Sequence, residues 1–218
     1  MEVSQWLNGG PFLEVSFLMK FNGQRKKTIR DILNKLSKVN KTIEIVDHDI
    51  DGSIDSFESG YLFDEGVYHH SLRLDLYVYL ARRRKAILQV EIVSSNAIMV
   101  DFWFYGSSFD APEWNQDGIK KDEMIDFTHF LVELYLIYEF KVGGIAVEHD
   151  ILELFRCNET YPNEGYRYEN ASLDFRLLEP SNFIHIIWNE TYKKLNNIPF
   201  KIKRVDKEGI LILNDDCK

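Results

Sequence analysis

Twelve consecutive residues, Asp47-His48-Asp49-Ile50-Asp51-Gly52-Ser53-Ile54-Asp55-Ser56-Phe57-Glu58, carry the sharpest chemical pattern in the chain. Four aspartates and a glutamate at this spacing repel one another unless a cation or water separates them. A hard divalent cation takes oxygen ligands, and alternate positions here supply them. The donors are the carboxylates of Asp47, Asp49, Asp51 and Asp55, the carbonyl of Ser53, and the carboxylate of Glu58. Gly52 stands where such a loop turns sharply, and Ile54 takes an apolar position. Read without a metal, the same Asp, Ser and Gly residues serve as an acidic connector between two strands.

In its spacing this segment resembles the EF-hand calcium-loop family over those twelve residues. The resemblance implies calcium held by Asp47, Asp49, Asp51, Ser53, Asp55 (often through a water) and Glu58 in bidentate mode. An EF-hand also needs an entering and a leaving helix. TIEIV at 42–46 alternates like a strand, Gly60 and Gly66 shorten any exit, and no second loop is present to pair with it. The segment 47–58 reads as an acidic turn or as an isolated structural calcium loop, and in neither case as a sensor.

Other chemistries lack their signatures. The chain contains no Gly-x-x-x-x-Gly-Lys phosphate loop, no Gly-x-Gly-x-x-Gly turn, no Gly-x-Ser-x-Gly elbow and no His-Glu-x-x-His helix. Glu139-Phe140-Lys141 has a nuclease-like spacing, but it falls at the end of an expected helix, where capping explains it. His149 between Glu148 and Asp150 has the form of a carboxylate-oriented base and is read as a solvated turn. The adjacent His69 and His70 cannot share a face and are expected at the surface or in a loop. Cys157 and Cys217 share no metal-type spacing, so neither a zinc site nor a disulfide framework is expected.

The elements that position these residues follow from periodicity. Leu72, Leu74, Leu76, Val78 and Leu80 alternate with polar residues, Ala81–Lys85 is read as a basic turn, and AILQVEIV (86–93) and AIMVDFWFY (97–105) complete a meander. FLEVSFLMKF (12–21) predicts an N-terminal strand, TIEIV a short strand, and residues 47–70 an irregular acidic stretch. Helices are expected from Thr28 to Val39 and from about Lys120 to Phe140, the second with Met124, Phe127, Leu131, Leu134 and Tyr138 on its apolar stripe. Gly143-Gly144 is expected to stop that helix, with IAV (145–147) as a strand and DILELF (150–155) as a short helix. Ser181 is expected to cap a helix carrying Phe183, Ile187 and Trp188. FKIKRV (200–205) and ILIL (210–213) read as a hairpin around Asp206–Gly209. The fold class is therefore α+β: an antiparallel meander at about 71–105, extended by N-terminal and candidate C-terminal strands, with helices on one face. A single domain over 1–218 is expected, with a candidate subdomain boundary near 157–170.

The odd-numbered residues of the meander share one face, which carries Arg73, Asp75, Tyr77, Tyr79, Gln89, Glu91, Asp101, Trp103 and Tyr105. Tyr, Trp and Arg dominate interface hot spots, so Tyr77, Tyr79, Trp103 and Tyr105 are the candidate partner contacts. The alternative is that the protein's own chain covers this face. A net charge of −9 argues against broad phosphate neutralisation, and no nucleic-acid partner is expected. The opening MEVSQWLNGG has no signal-peptide pattern and no apolar run is long enough to span a membrane, so a soluble, cytoplasmic protein is expected.

These readings favour a non-enzymatic binding protein with a protein partner. Acidic, aromatic-rich and without catalytic signature, it is similar in general type to bacterial immunity proteins that block toxins. A metal-dependent enzyme with dispersed site residues and a domain with a structural calcium loop are the alternatives.

Overall fold

In the computed structural model, which describes residues 6–38, 43–62, 66–175 and 183–214, strands and helices are interleaved along the chain. The first part runs β1 (Phe12–Lys20), α1 (Arg25–Leu36), β2 (Ile43–Ile45), α2 (Ile50–Ser59), β3 (Tyr61–Leu62) and β4 (Tyr68–His69). Next come β5 (Ser71–Tyr79), β6 (Arg83–Ser94), β7 (Ala97–Tyr105) and α3 (Met124–Tyr138). The last part holds β8 (Val142–Val147), β9 (Phe183–Asn189), β10 (Lys201–Arg204) and β11 (Gly209–Leu213). Nine strands form one antiparallel sheet in the order β10-β11-β9-β8-β1-β7-β6-β5-β2, while β3 pairs with β4 separately.

Alternation decides what each face meets. Leu74 of β5 lies beside Leu88 of β6, which lies beside Phe102 of β7, then Val15 of β1. All four are fully buried on the face that carries α1, α2 and α3. α3 docks there through Phe127, Leu131 and Leu134, as its stripe requires, and Phe130 joins them. Phe127 and Phe130 set their rings edge-on to Phe104 and Phe102, at 5.0 and 5.2 Å between centroids. The opposite face is covered differently. Over β1, β8, β9 and β11 lie three short 3-10 turns (Ile151–Phe155, Glu164–Tyr166, Tyr168–Asn170), burying Leu18, Val142, Ile186, Trp188 and Ile210 in a second core layer. No helix among the described residues is long and apolar enough to cross a membrane.

The α+β class, the meander and the C-terminal hairpin are as expected. Several local expectations are corrected. Residues 47–70 are not irregular: α2 occupies Ile50–Ser59, because Ile50, Ile54 and Phe57 recur at helical spacing and the last two are buried on the sheet. Phe183, Ile187 and Trp188 lie on strand β9, not a helix. β9 sits between β8 and β11 with both faces covered, so its apolar residues run on without the alternation of a one-sided strand. Ser181 lies outside the described residues. Arg83, Arg84 and Lys85 open β6, so the turn is shorter than Ala81–Lys85.

Gly143 and Gly144 do more than follow α3. They sit inside β8, where a Cβ on Gly143 would lie 2.7 Å from the Phe140 ring and 2.8 Å from Phe17. His69 and His70 are buried rather than at the surface, and the ring of His70 bonds Phe57 O at 2.8 Å through Nδ1.

Among the described residues the sheet ends on β2 and β10. Every residue of β10 (Lys201, Ile202, Lys203, Arg204) is exposed, and its three cations discourage further strand pairing.

Candidate functional site

The twelve-residue acidic segment is distributed over a helix and its entry. Asp47 Oδ2 accepts the backbone N–H of Asp75. Asp49 caps α2, accepting from Gly52 N at 2.9 Å. From Asp51 onward the side chains turn toward α1 or follow the helix. Asp51 meets Arg30 at 3.3 Å, Asp55 pairs with Lys26, and Glu58 Oε2 accepts from Lys26 N at 2.8 Å. Ser53 Oγ donates to Asp49 O at 3.1 Å. The Lys26 ammonium holds the Asp55 carboxyl below the usual carboxylate range. These acids therefore tie α2 to the first turn of α1, whose own sequence supplies no acidic residue there. The Asp47, Asp49 and Asp51 carboxylates meet different partners, Asp55 and Glu58 both meet Lys26, and the backbone is helical from Ile50.

The aromatic face is assembled by β5, β6 and β7. Tyr77 is half-buried, with the Arg83 guanidinium 3.3 Å from its ring centre and Trp6 edge-on at 4.9 Å. Tyr79 is 40% exposed and donates its hydroxyl to Glu44 at 2.7 Å. Arg83 also lies 5.6 Å from the Tyr79 ring. Tyr105 is half-buried and, with Leu7, Tyr77, Arg83, Lys85 and Asn115, lines a pocket of about 180 Å³. Trp103 is half-buried as well: it stacks on Phe12 and donates Nε1–H to Asp101. Two of the four expected aromatics, Tyr77 and Tyr105, therefore line one hollow, while Tyr79 is exposed beside Arg83 and Trp103 is half-buried against Phe12.

The neighbouring arginines are not a free basic tip. Arg84 is buried and reaches both oxygens of Glu123 at 2.6 Å, while Arg82 reaches the same carboxylate at 2.9 and 3.1 Å. Both also donate to Gly118 O at 3.1 Å. Burial alone would raise the Glu123 carboxyl, but hydrogen bonds from Arg82 and Arg84 outweigh it and hold it down to about 2. The clamp joins the β5–β6 turn to the start of α3 and fixes one wall of the pocket.

A different cluster lies on the same face nearer the sheet centre. In the β1–β7 register Ser16 is opposite Asp101 and Glu14 opposite Trp103, so Glu14 and Asp101 are diagonal neighbours. Asp150 reaches them from the start of the 3-10 turn Ile151–Phe155. It caps that turn by accepting from Leu152 N at 2.6 Å, and Ile151 N donates to Ser16 Oγ at 2.9 Å. One carboxylate oxygen each from Glu14, Asp101 and Asp150 lie within 4.8 Å of one another. No other such trio of His, Cys, Asp or Glu exists among the described residues.

The surroundings of this trio are poor in compensating charge. Asp101 is 1% exposed; its Oδ2 accepts from Trp103, and its Oδ1 is buried without a hydrogen-bond partner. No lysine or arginine among the described residues pairs with any of the three. Burial, then the charge of Asp150, pushes the Glu14 carboxyl up to about 7. Burial pushes Asp150 up to about 6. Burial, with Glu14 and Asp150 alongside, raises Asp101 well above the usual range. Glu91, buried and bonded by the Tyr161 hydroxyl at 2.7 Å, adds a fourth acid nearby. A cleft of about 290 Å³ bordered by Asp150, Leu152, Glu159, Tyr161 and Tyr166 opens beside the trio.

Sequence spacing could not join residues 14, 101 and 150, because only strand register and the returning connector bring them together. The alternation of the meander puts Asp101 on this face, but as one polar residue among many.

Compared with protein families, curated proteins and solved structures, the chain finds no match.

Proposed function

We propose that this chain is a non-enzymatic binding protein that takes a protein partner on the β5–β7 end of its sheet, in the manner of an immunity-type inhibitor. The observation that carries the reading is the Tyr77–Arg83–Tyr79 stack beside the pocket of about 180 Å³. The 3-10 turns that roof the rest of this face stop short of it, leaving Arg73, Tyr79 and Arg83 exposed. Rings pre-set by cation–π contact lose little conformational entropy on binding, which favours them as interface anchors. The far wall of the pocket is Asn115–Asp117, and the adjacent Trp114 is 49% exposed. The surface mixes charges: Arg73, Arg83 and Lys85 stand among Glu44, Asp47 and Asp75. That mixture suits a specific protein surface better than a polyanion.

The test compares wild type with a Tyr79→Ala, Arg83→Glu double variant. Each is immobilised and exposed to native lysate, and captured proteins are quantified by mass spectrometry. A stoichiometric partner bound to wild type and lost from an equally stable variant is the expected outcome. Equal capture by both, or no stoichiometric partner, overturns the proposal.

A further inference from the structure

We infer that Glu14, Asp101 and Asp150 form a binding site for one hard divalent cation of the magnesium, manganese or calcium class, separate from the 47–58 segment and from the aromatic hollow.

The geometry comes close to what such an ion needs. Three oxygens evenly spread around one ion at about 2.1–2.6 Å lie about 3.6–4.5 Å apart. The three carboxylates lie within 4.8 Å of one another, so a small closure of the side chains on the ion completes the site. All donors are carboxylate oxygens, which suit hard cations rather than the thiolate- and imidazole-seeking metals. Each comes from a different segment: β1, β7, and the turn after β8. Their positions are fixed by strand pairing, by the Asp150 cap on Leu152, and by the Ile151–Ser16 hydrogen bond.

The second, independent observation is Asp101 Oδ1, an acceptor sealed from water with no donor. A buried polar atom left unpaired is costly and calls for an occupant. Glu14 beside it is another acceptor, so only a shared proton or a cation can sit between them. The cation does more, because it also offsets the charge of Asp150, and no lysine or arginine among the described residues does so. Three protein oxygens leave about half of a six-coordinate shell to water, and the cleft beside Asp150 gives that water room.

The proposal is tested on the full chain after dialysis against chelator. Manganese, magnesium and calcium chlorides are titrated separately by calorimetry at pH about 7.5, with Trp fluorescence followed in parallel because the Trp103 indole bonds Asp101. One saturable site per chain is expected for at least one of the three ions. Asp101→Asn keeps the shape and the Trp103 bond but removes the charge, and should weaken affinity by about tenfold or more. Asp150→Asn, which keeps the cap, should do the same and provides a second variant if Asp101→Asn folds poorly. An Asp51→Asn, Glu58→Gln variant should bind as wild type. Lowering the pH to about 5.5 should weaken binding by about tenfold or more, since carboxylates must lose protons to bind the ion.

Absence of saturable binding by all three ions overturns the assignment and leaves a shared-proton cluster. Undiminished binding by both Asp101→Asn and Asp150→Asn overturns it too, as does loss of binding only in the Asp51→Asn, Glu58→Gln variant.

Discussion

Arg84 and Glu123 meet through two hydrogen bonds of 2.6 Å, with only 4% of the Arg84 side chain and 12% of the Glu123 side chain exposed. This pair fastens the start of β6 to the start of the helix that covers the sheet. Removing one member leaves the other charge buried and unpaired, which costs more than the pair itself contributes. Glu123→Gln should therefore lower stability by about 3 kcal/mol in urea unfolding. A change under about 0.5 kcal/mol would place the clamp among ordinary surface pairs.

The same pair has a pH signature. Glu123 is held near 2 in the folded chain, below its unfolded value. Its stabilisation is full above the unfolded carboxylate pKa of about 4.3 and is lost as pH falls toward about 2. Thermal melts between those limits should fall steeply for wild type and less steeply for Glu123→Gln.

The carboxylate trio runs the other way. Glu14 and Asp150 are raised to about 7 and about 6, so their contribution is full below the unfolded pKa and is lost as pH rises through those values. In chelator, wild type should lose melting temperature between pH about 4.5 and about 8, whereas Asp101→Asn should show a flatter profile. Identical slopes for both proteins would show that the three groups do not interact strongly.

Asp49 offers a local test of the acidic segment. As the cap of α2 it contributes a hydrogen bond to Gly52 N, and Asp49→Ala should cost about 1 kcal/mol in chelator. The measurement is again urea unfolding. No loss without added calcium would mean that the cap is not made in solution.

In the core, Leu131→Ala should cost about 2–5 kcal/mol, because Leu131 is fully buried between α3 and the sheet. Leu136, exposed on the same helix, should tolerate alanine with a change near zero, within about 0.5 kcal/mol. Equal effects at the two positions would contradict the docking of α3.

The sequence by itself determined the elements whose period is strong. Leu72 through Leu80 alternate because one face of β5 is buried and the other is largely open, and Phe127, Leu131 and Leu134 repeat at helical spacing because one side of α3 meets the sheet. Where both faces are covered, as in β9, that contrast disappears and Phe183, Ile187 and Trp188 imitate a helix. In the acidic segment, spacing marks which oxygens a calcium loop needs but not the backbone that holds them. Ile50, Ile54 and Phe57 were the overlooked sign that this backbone coils. Only the tertiary structure decided that Glu14, Asp101 and Asp150 meet. The first two are joined by an inter-strand register, and the third is brought by a connector crossing the sheet. Such contacts depend on long-range pairing, so they leave no local periodicity to read.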